Sequence, residues 1–146
     1  MFILDLYAQR IQETELVYRH LEDDYELEEL QEFEPELFER FLRTYVTFQD
    51  LRDGHIAHLE ELQAQNLDPH PFVAAHEAHL DAHRLIHETL AIDHEDMMLT
   101  HDRRQRRDLG DAHRALFDRH REMMELMDDM LFFAPQEVDV EDLPPP

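Results

Sequence analysis

Lysine, serine, cysteine and tryptophan are absent from the 146-residue chain, and glycine occurs only twice. Without cysteine there is no disulfide framework, thiol nucleophile or thiolate zinc cluster. Without serine and lysine, a serine hydrolase, a Schiff-base lysine and a P-loop are excluded, and two glycines cannot build a phosphate-cradling loop. Positive charge is scarce as well: 13 basic residues, all arginine, face 36 Asp and Glu, a formal net charge of −23. That sign repels phosphate backbones and anionic membrane surfaces, so direct nucleic-acid or lipid-surface binding is not expected, whereas cations or a basic protein partner are. Salt adaptation or a GC-rich genome produces the same acidic, arginine-only composition. No run approaches about 20 apolar residues, and Met1–Leu6 lacks the basic and apolar regions of a signal peptide. The expectation is a soluble, cytoplasmic protein of one domain, at roughly 100–200 residues per domain.

Chain breakers are few and nearly evenly placed. Pro35, the turn Leu67-Asp68-Pro69-His70-Pro71, Gly110 after the basic run Arg103–Arg107, and Pro135 divide the chain into segments of similar length. This pattern predicts an all-α antiparallel four-helix bundle over 1–133, with helices near 2–33, 36–66, 71–102 and 109–133. Apolar residues recur on one face of each. The first carries Ile3, Leu6, Tyr7, Thr14, Val17, Tyr18, Leu21 and Tyr25; the second Leu37, Phe41, Phe48, Leu51, Leu59 and Leu62; the fourth Leu116, Phe117, Met124, Met127 and Leu131. Residues 134–146, with four prolines and four acids, are expected to form a disordered tail. The stretch 22–39 holds ten acids, and reads as a solvated face.

The third segment carries His76, His79, His83, His87, His94 and His101, which fall within roughly 80° of one another at about 100° per residue. They form one stripe flanked by apolar residues. His55 and His58 project toward the same interior from the second segment, and His113 and His120 from the fourth. Folding the chain about its turns places His55 and His58 near His79, His83 and Met127, His87 near His120 and Met124, and His94 near His113 with Glu28 or Asp24. Imidazole pairs at i, i+3 and i, i+4 put two nitrogens on one helix face, as metal ligation from a bundle requires. The candidate metal ligands are therefore His55, His58, His79, His83, His87, His94, His113, His120 and Glu28. Imidazole with carboxylate suits Zn, Fe or Mn, and imidazole with thioether suits Cu. The other reading is structural, with neutral core imidazoles hydrogen-bonded to Tyr, Thr or Glu and no metal. A second apolar line, Ala78, Leu85, Ile92 and Leu99 at seven-residue spacing, is a candidate contact between copies in a homo-oligomer. Gly54, beside His55, is unfavourable inside a helix by about 1 kcal/mol relative to Ala, which suggests close helix approach or a kink next to a site.

The stretch Phe48-Gln49-Asp50-Leu51-Arg52-Asp53-Gly54-His55-Ile56-Ala57-His58-Leu59-Glu60-Glu61-Leu62, followed by a proline-containing turn, resembles the second helix of ferritin-like bundles. The resemblance covers about 20 of the 146 residues and implies the bundle. His58 matches the histidine of that family's Glu-x-x-His ligand motif, but His55 stands at the glutamate position. The fourth segment has no clear Glu-x-x-His, so di-iron oxidase chemistry does not follow. Hemerythrin-like bundles share the histidine density, but their His-x-x-x-Glu pair is missing from the second helix. The leading expectation is a transition-metal-binding bundle for storage, sequestration or delivery, with no catalytic residue and no turnover required. The alternative is a non-catalytic acidic interaction or assembly protein, a ligand of basic partners or a mimic of nucleic-acid charge. Haem held between two interior imidazoles is a third reading.

Overall fold

The computed structural model describes residues 3–65 and 74–133. Every element among them is helical: α1 (Ile3–Tyr25), α2 (Glu28–Phe33), α3 (Pro35–Ala64), α4 (Ala74–Arg103) and α5 (Arg107–Phe133). The protein is all-α. The expected turn at Leu67–Pro71 and the expected tail, 134–146, lie outside the described residues. None of the described helices is long and apolar enough to cross a membrane.

Inward positions of the long helices recur at alternating spacings of three and four. In α1 they are Leu4, Tyr7, Ile11, Thr14, Tyr18, Leu21 and Tyr25, and in α5 they are Leu109, His113, Leu116, His120, Met123, Met127 and Met130. In α4 the buried seam runs His76, Leu80, His83, His87, Leu90, His94, Met97, His101. This 3.5-residue repeat is that of helices packing along a shared seam. It displaces the face expected for α5, since Met123 and Met130 are buried while Phe117 and Met124 are only half-buried.

Helix directions follow from the contacts. Partners on α1 and α4 keep a constant separation of 76 residues, as in Tyr7–His83, Tyr18–His94 and Tyr25–His101, so these helices run the same way. Partners of α4 on α3 (His55–His79, His58–His76) and on α5 (His87–His120, His94–His113) move in opposite senses, so α3 and α5 run against it. Ion pairs lace the outside, among them Arg52–Glu15 between α3 and α1, Arg119–Glu13 between α5 and α1, Arg40–Asp96 between α3 and α4, and Arg84–Asp128 between α4 and α5.

The expected first helix, 2–33, is two helices. It breaks after Tyr25, where Glu22 and Glu26 stand four residues apart as like charges that oppose helix continuation, and α2 restarts on the Leu27 carbonyl. Burial and the neighbouring charges of Glu26 and Asp23 raise the pKa of Glu22. Pro35 then opens α3 at its first turn, where its missing N–H costs nothing.

The break between the third and fourth predicted segments, expected between 102 and 109, falls at residues 104–106. Gln105 adopts a left-handed φ of 60°. Arg106 N–H donates to the His101 carbonyl at 2.9 Å and Gln105 N–H to the Asp102 carbonyl at 3.1 Å, the two bonds of a Schellman cap. A side chain is disfavoured there, so Gln105→Gly is expected to raise stability by about 1 kcal/mol, read as a higher urea midpoint with unchanged slope. Gly110 serves another purpose: it is buried within α5, and a Cβ there would run into the Asp102 carboxylate. The Arg103–Arg107 run sits at this corner, with Arg104 paired to Glu34 and Arg106 3.6 Å from Asp108.

Candidate metal centre

At one end of the helix array, α3 and α4 bring His55, His79 and His83 together, with one ring nitrogen from each lying within 4.8 Å of the others. This buried cluster could hold a metal ion. His55 and His83 are buried and His79 is half-buried at the rim. His55 Nε2–H donates to the Leu4 carbonyl at 3.2 Å, because a carbonyl only accepts, and its Nδ1 therefore presents a lone pair toward His79 Nε2 at 2.9 Å. His83 Nδ1 meets the Tyr7 hydroxyl at 2.8 Å, which leaves Nε2 to face the cluster. A histidine whose outer nitrogen is held by a carbonyl or hydroxyl is oriented in the way metal ligands are. His58 flanks the group, its ring 4.0 Å from that of His79, with its Nε2 2.8 Å from His76 Nδ1. Gly54 also borders it: a Cβ at this position would lie 3.9 Å from His83 Nε2, so close approach of α3 to α4 does not demand a glycine.

Desolvation, the largest cause at each ring, keeps the cluster neutral. It lowers His55 and His83 to about 4 and His79 to about 2, reinforced at His79 by the four neighbouring imidazoles. His58 is lowered for the same reason. Neutral imidazole is the form that ligates.

His87, His94, His113 and His120, also expected as ligands, are placed differently. Both nitrogens of each ring are engaged, one by a tyrosine hydroxyl and one by another imidazole. Tyr7 Oη lies 2.6 Å from His87 Nε2; Tyr18 Oη lies 2.7 Å from His94 Nε2 and 2.6 Å from His120 Nε2; Tyr25 Oη lies 2.8 Å from His113 Nε2 and also bonds His101 Nε2. The Nδ1 atoms of His87 and His120 meet at 3.0 Å, as do those of His94 and His113. The expected pairings of His87 with His120 and of His94 with His113 are thus the contacts found. Of the other expected partners, Asp24 is exposed, and the side chain of Glu28 lies outside the described part of the structure.

The hydrogen-bonding tyrosines are Tyr7, Tyr18 and Tyr25, which the sequence placed in the apolar stripe of the first helix while naming tyrosine only in general as a partner of core imidazoles. A signal was present: Tyr18 and Tyr25 are separated by seven residues, as are His94 and His101 and also His113 and His120. From α3, Phe48 stacks on Tyr18 with centroids 4.7 Å apart, and Phe41 on Tyr25 at 5.0 Å. One side of the polar line is therefore a dry aromatic wall, which raises the pKa of Tyr18 and Tyr25 and lowers His94, His113 and His120 through desolvation.

Comparison with protein-family models, with curated proteins and with solved structures finds no match.

Proposed function

We propose that the protein binds a transition-metal ion through His55, His79 and His83, at one end of an antiparallel four-helix bundle, to store, sequester or deliver it. The observation that carries this reading is the convergence of three neutral imidazole nitrogens from two helices within 4.8 Å. Three imidazoles leave a further coordination position open, which suits an ion that must come and go. A ligand set without carboxylate or thiolate favours Zn²⁺, Cu²⁺ or Fe²⁺ over Mn²⁺. A cleft of about 210 Å³ between α1 and α3 has His55 in its wall, with Glu15 and Arg52 beside it. The bundle reading rests on the helix directions above, and it is the part of the ferritin-like resemblance that this proposal keeps. Contact between copies through Leu85, Ile92 and Leu99 belongs to the same proposal, supported by their exposure.

A basic protein partner is the second reading, favoured by the exposure of Asp23, Asp24, Glu26, Glu29 and Glu32 at one corner. Zinc titration of the tag-free protein separates the two. Zn²⁺ is expected to bind and to raise the melting temperature, since the ligands converge only in the folded chain. His79→Ala, at the half-buried ring, should weaken binding by about 100-fold or more, while His20→Ala, on the exposed face of α1, should leave it unchanged. Absence of zinc binding, or equal effects of the two substitutions, would remove the ligand set and leave the acidic interaction protein.

A further inference from the structure

From His83 the hydrogen bonds run without interruption through Tyr7, His87, His120, Tyr18, His94, His113 and Tyr25 to His101. Between its two ends α4 advances 18 residues, about 27 Å at 1.5 Å per residue. A neutral imidazole has one N–H and one bare nitrogen, and a phenol donates once and accepts at its oxygen. Each interior imidazole uses one contact on either side, so it donates once and accepts once; a phenol oxygen can also accept twice, and Tyr18 has Thr44 as a further hydrogen-bond partner. When every tyrosine hydroxyl donates within the chain, the direction of one link fixes the direction of all the others. Two such arrangements exist: all donors point toward His83, or all point toward His101.

We propose that this buried tyrosine–histidine chain is a proton relay between the two ends of the helix array. In one passage a proton arrives on Nδ1 of His101, each link hands its hydrogen to the neighbour on the His83 side, and a proton leaves Nε2 of His83. One N–H or O–H bond breaks and one forms at every interior member, with no net charge left behind. Transfer in the other direction reverses each step. Nδ1 of His101 is buried and has no hydrogen-bond partner among the described residues, as the terminus of such a chain would. Burial disfavours a resting imidazolium anywhere along the interior, so the hydrogens move as a concerted shift. The tyrosines suit this role because a phenol accepts and donates at one oxygen without a ring flip.

The relay gives the metal centre a distant terminus, and this consequence rests on the metal reading above. An ion on Nε2 of His83 requires the ring hydrogen on Nδ1, which points every donor toward His101. The proton displaced at the ion is then balanced by one gained on Nδ1 of His101.

The test is solvent exchange of the ring N–H protons in the His87–His120 and His94–His113 links, followed by NMR on full-length protein with ¹⁵N-labelled histidine and no metal. A single passage leaves each hydrogen inside its own link, so these protons are refreshed in the wild type as passages alternate with turning of the rings and hydroxyls, which restores the starting direction of the chain. Tyr18→Phe cuts the chain in the middle, so exchange should slow by about tenfold or more even though the variant is less stable. If the links are only structural, exchange waits for the fold to open, and the less stable variant exchanges faster. Unchanged or faster exchange overturns the relay. Tyr25→Phe, which cuts nearer the His101 end, carries the same expectation for the His94–His113 link should Tyr18→Phe fail to fold. A second arm adds Zn²⁺ to the wild type and reads the His101 ring, which should carry its proton on Nδ1. Failure of zinc to bind removes the metal centre and leaves the exchange result standing. Bound zinc with an unaltered His101 ring overturns the coupling between the ends.

Discussion

Acidification from pH 7 to 5 is expected to unfold the protein cooperatively, with a midpoint near pH 5.5 in the presence of a chelator. Desolvation holds His55 and His83 at about 4 and His113 at about 3 in the folded state, and drives His87, His94 and His120 well below the ordinary value. In the unfolded chain all six return to about 6.5. Folded values lie below unfolded ones, so the unfolded chain binds more protons. Stability is therefore complete above about pH 6.5 and is lost as pH falls from there toward 4. One pH unit below 6.5, each ring costs about 1.4 kcal/mol. Six rings together cost about 8 kcal/mol, comparable with the 5–15 kcal/mol that holds a typical domain folded. Relief of repulsion among the surface carboxylates acts in the other direction, but mainly below about pH 4.5, where unperturbed Asp and Glu titrate. Helical circular dichroism and urea midpoints from pH 7.5 to 4.5 measure this directly. Stability that stays flat or rises down to pH 5 would contradict the burial of these rings. Saturating Zn²⁺ should push the midpoint lower, because protons and the ion compete for the same nitrogens.

The second large effect concerns the middle of the tyrosine–histidine chain. Tyr18→Phe keeps the ring that stacks on Phe48 and Tyr45 at centroid distances of 4.7 and 5.1 Å, but removes the hydroxyl between His94 and His120. Two buried imidazole nitrogens then lose their partner, and an unsatisfied buried polar group costs about 1–3 kcal/mol. A loss of about 2–4 kcal/mol is expected, a melting temperature lower by about 10 °C for a domain of this size. Tyr45→Phe is the control: Tyr45 is 5% exposed, stacks on the same ring, and its hydroxyl takes no part in the chain, so its removal should cost well under 1 kcal/mol. Calorimetry of the two variants separates hydroxyl from ring. Equal destabilisation would mean that the tyrosines contribute packing alone.

Much of the architecture was legible in the chain because it is local. An apolar or imidazole residue every three to four positions marks the inward face of a helix whatever it packs against, and so α3, α4 and α5 fall close to where periodicity puts them. The break after Tyr25 and the left-handed Gln105 were not legible. One arises from charges crowding a helix that nothing else forces apart, the other from a turn that accepts a non-glycine residue once the flanking helices are docked. The imidazole pairs across α4 and α5 could be anticipated, because antiparallel helices joined by a short turn have a nearly forced register.

By itself the sequence determined an all-helical protein, excluded thiol, serine and lysine chemistry through missing residue types, and aligned six histidines on one face of one helix. It could not divide those histidines between a cluster of converging nitrogens that could hold an ion and a hydrogen-bonded line, because that division depends on what faces each ring. Tertiary structure decided it. At the end where α3 presents His55, imidazole meets imidazole and three nitrogens converge. Farther along, α3 presents Phe41 and Phe48 and α1 presents Tyr18 and Tyr25, so each interior nitrogen finds a hydroxyl or a single neighbouring ring. A helix face dictates which residues are buried together, but only the helices packed against it supply the second partner that every buried polar nitrogen requires.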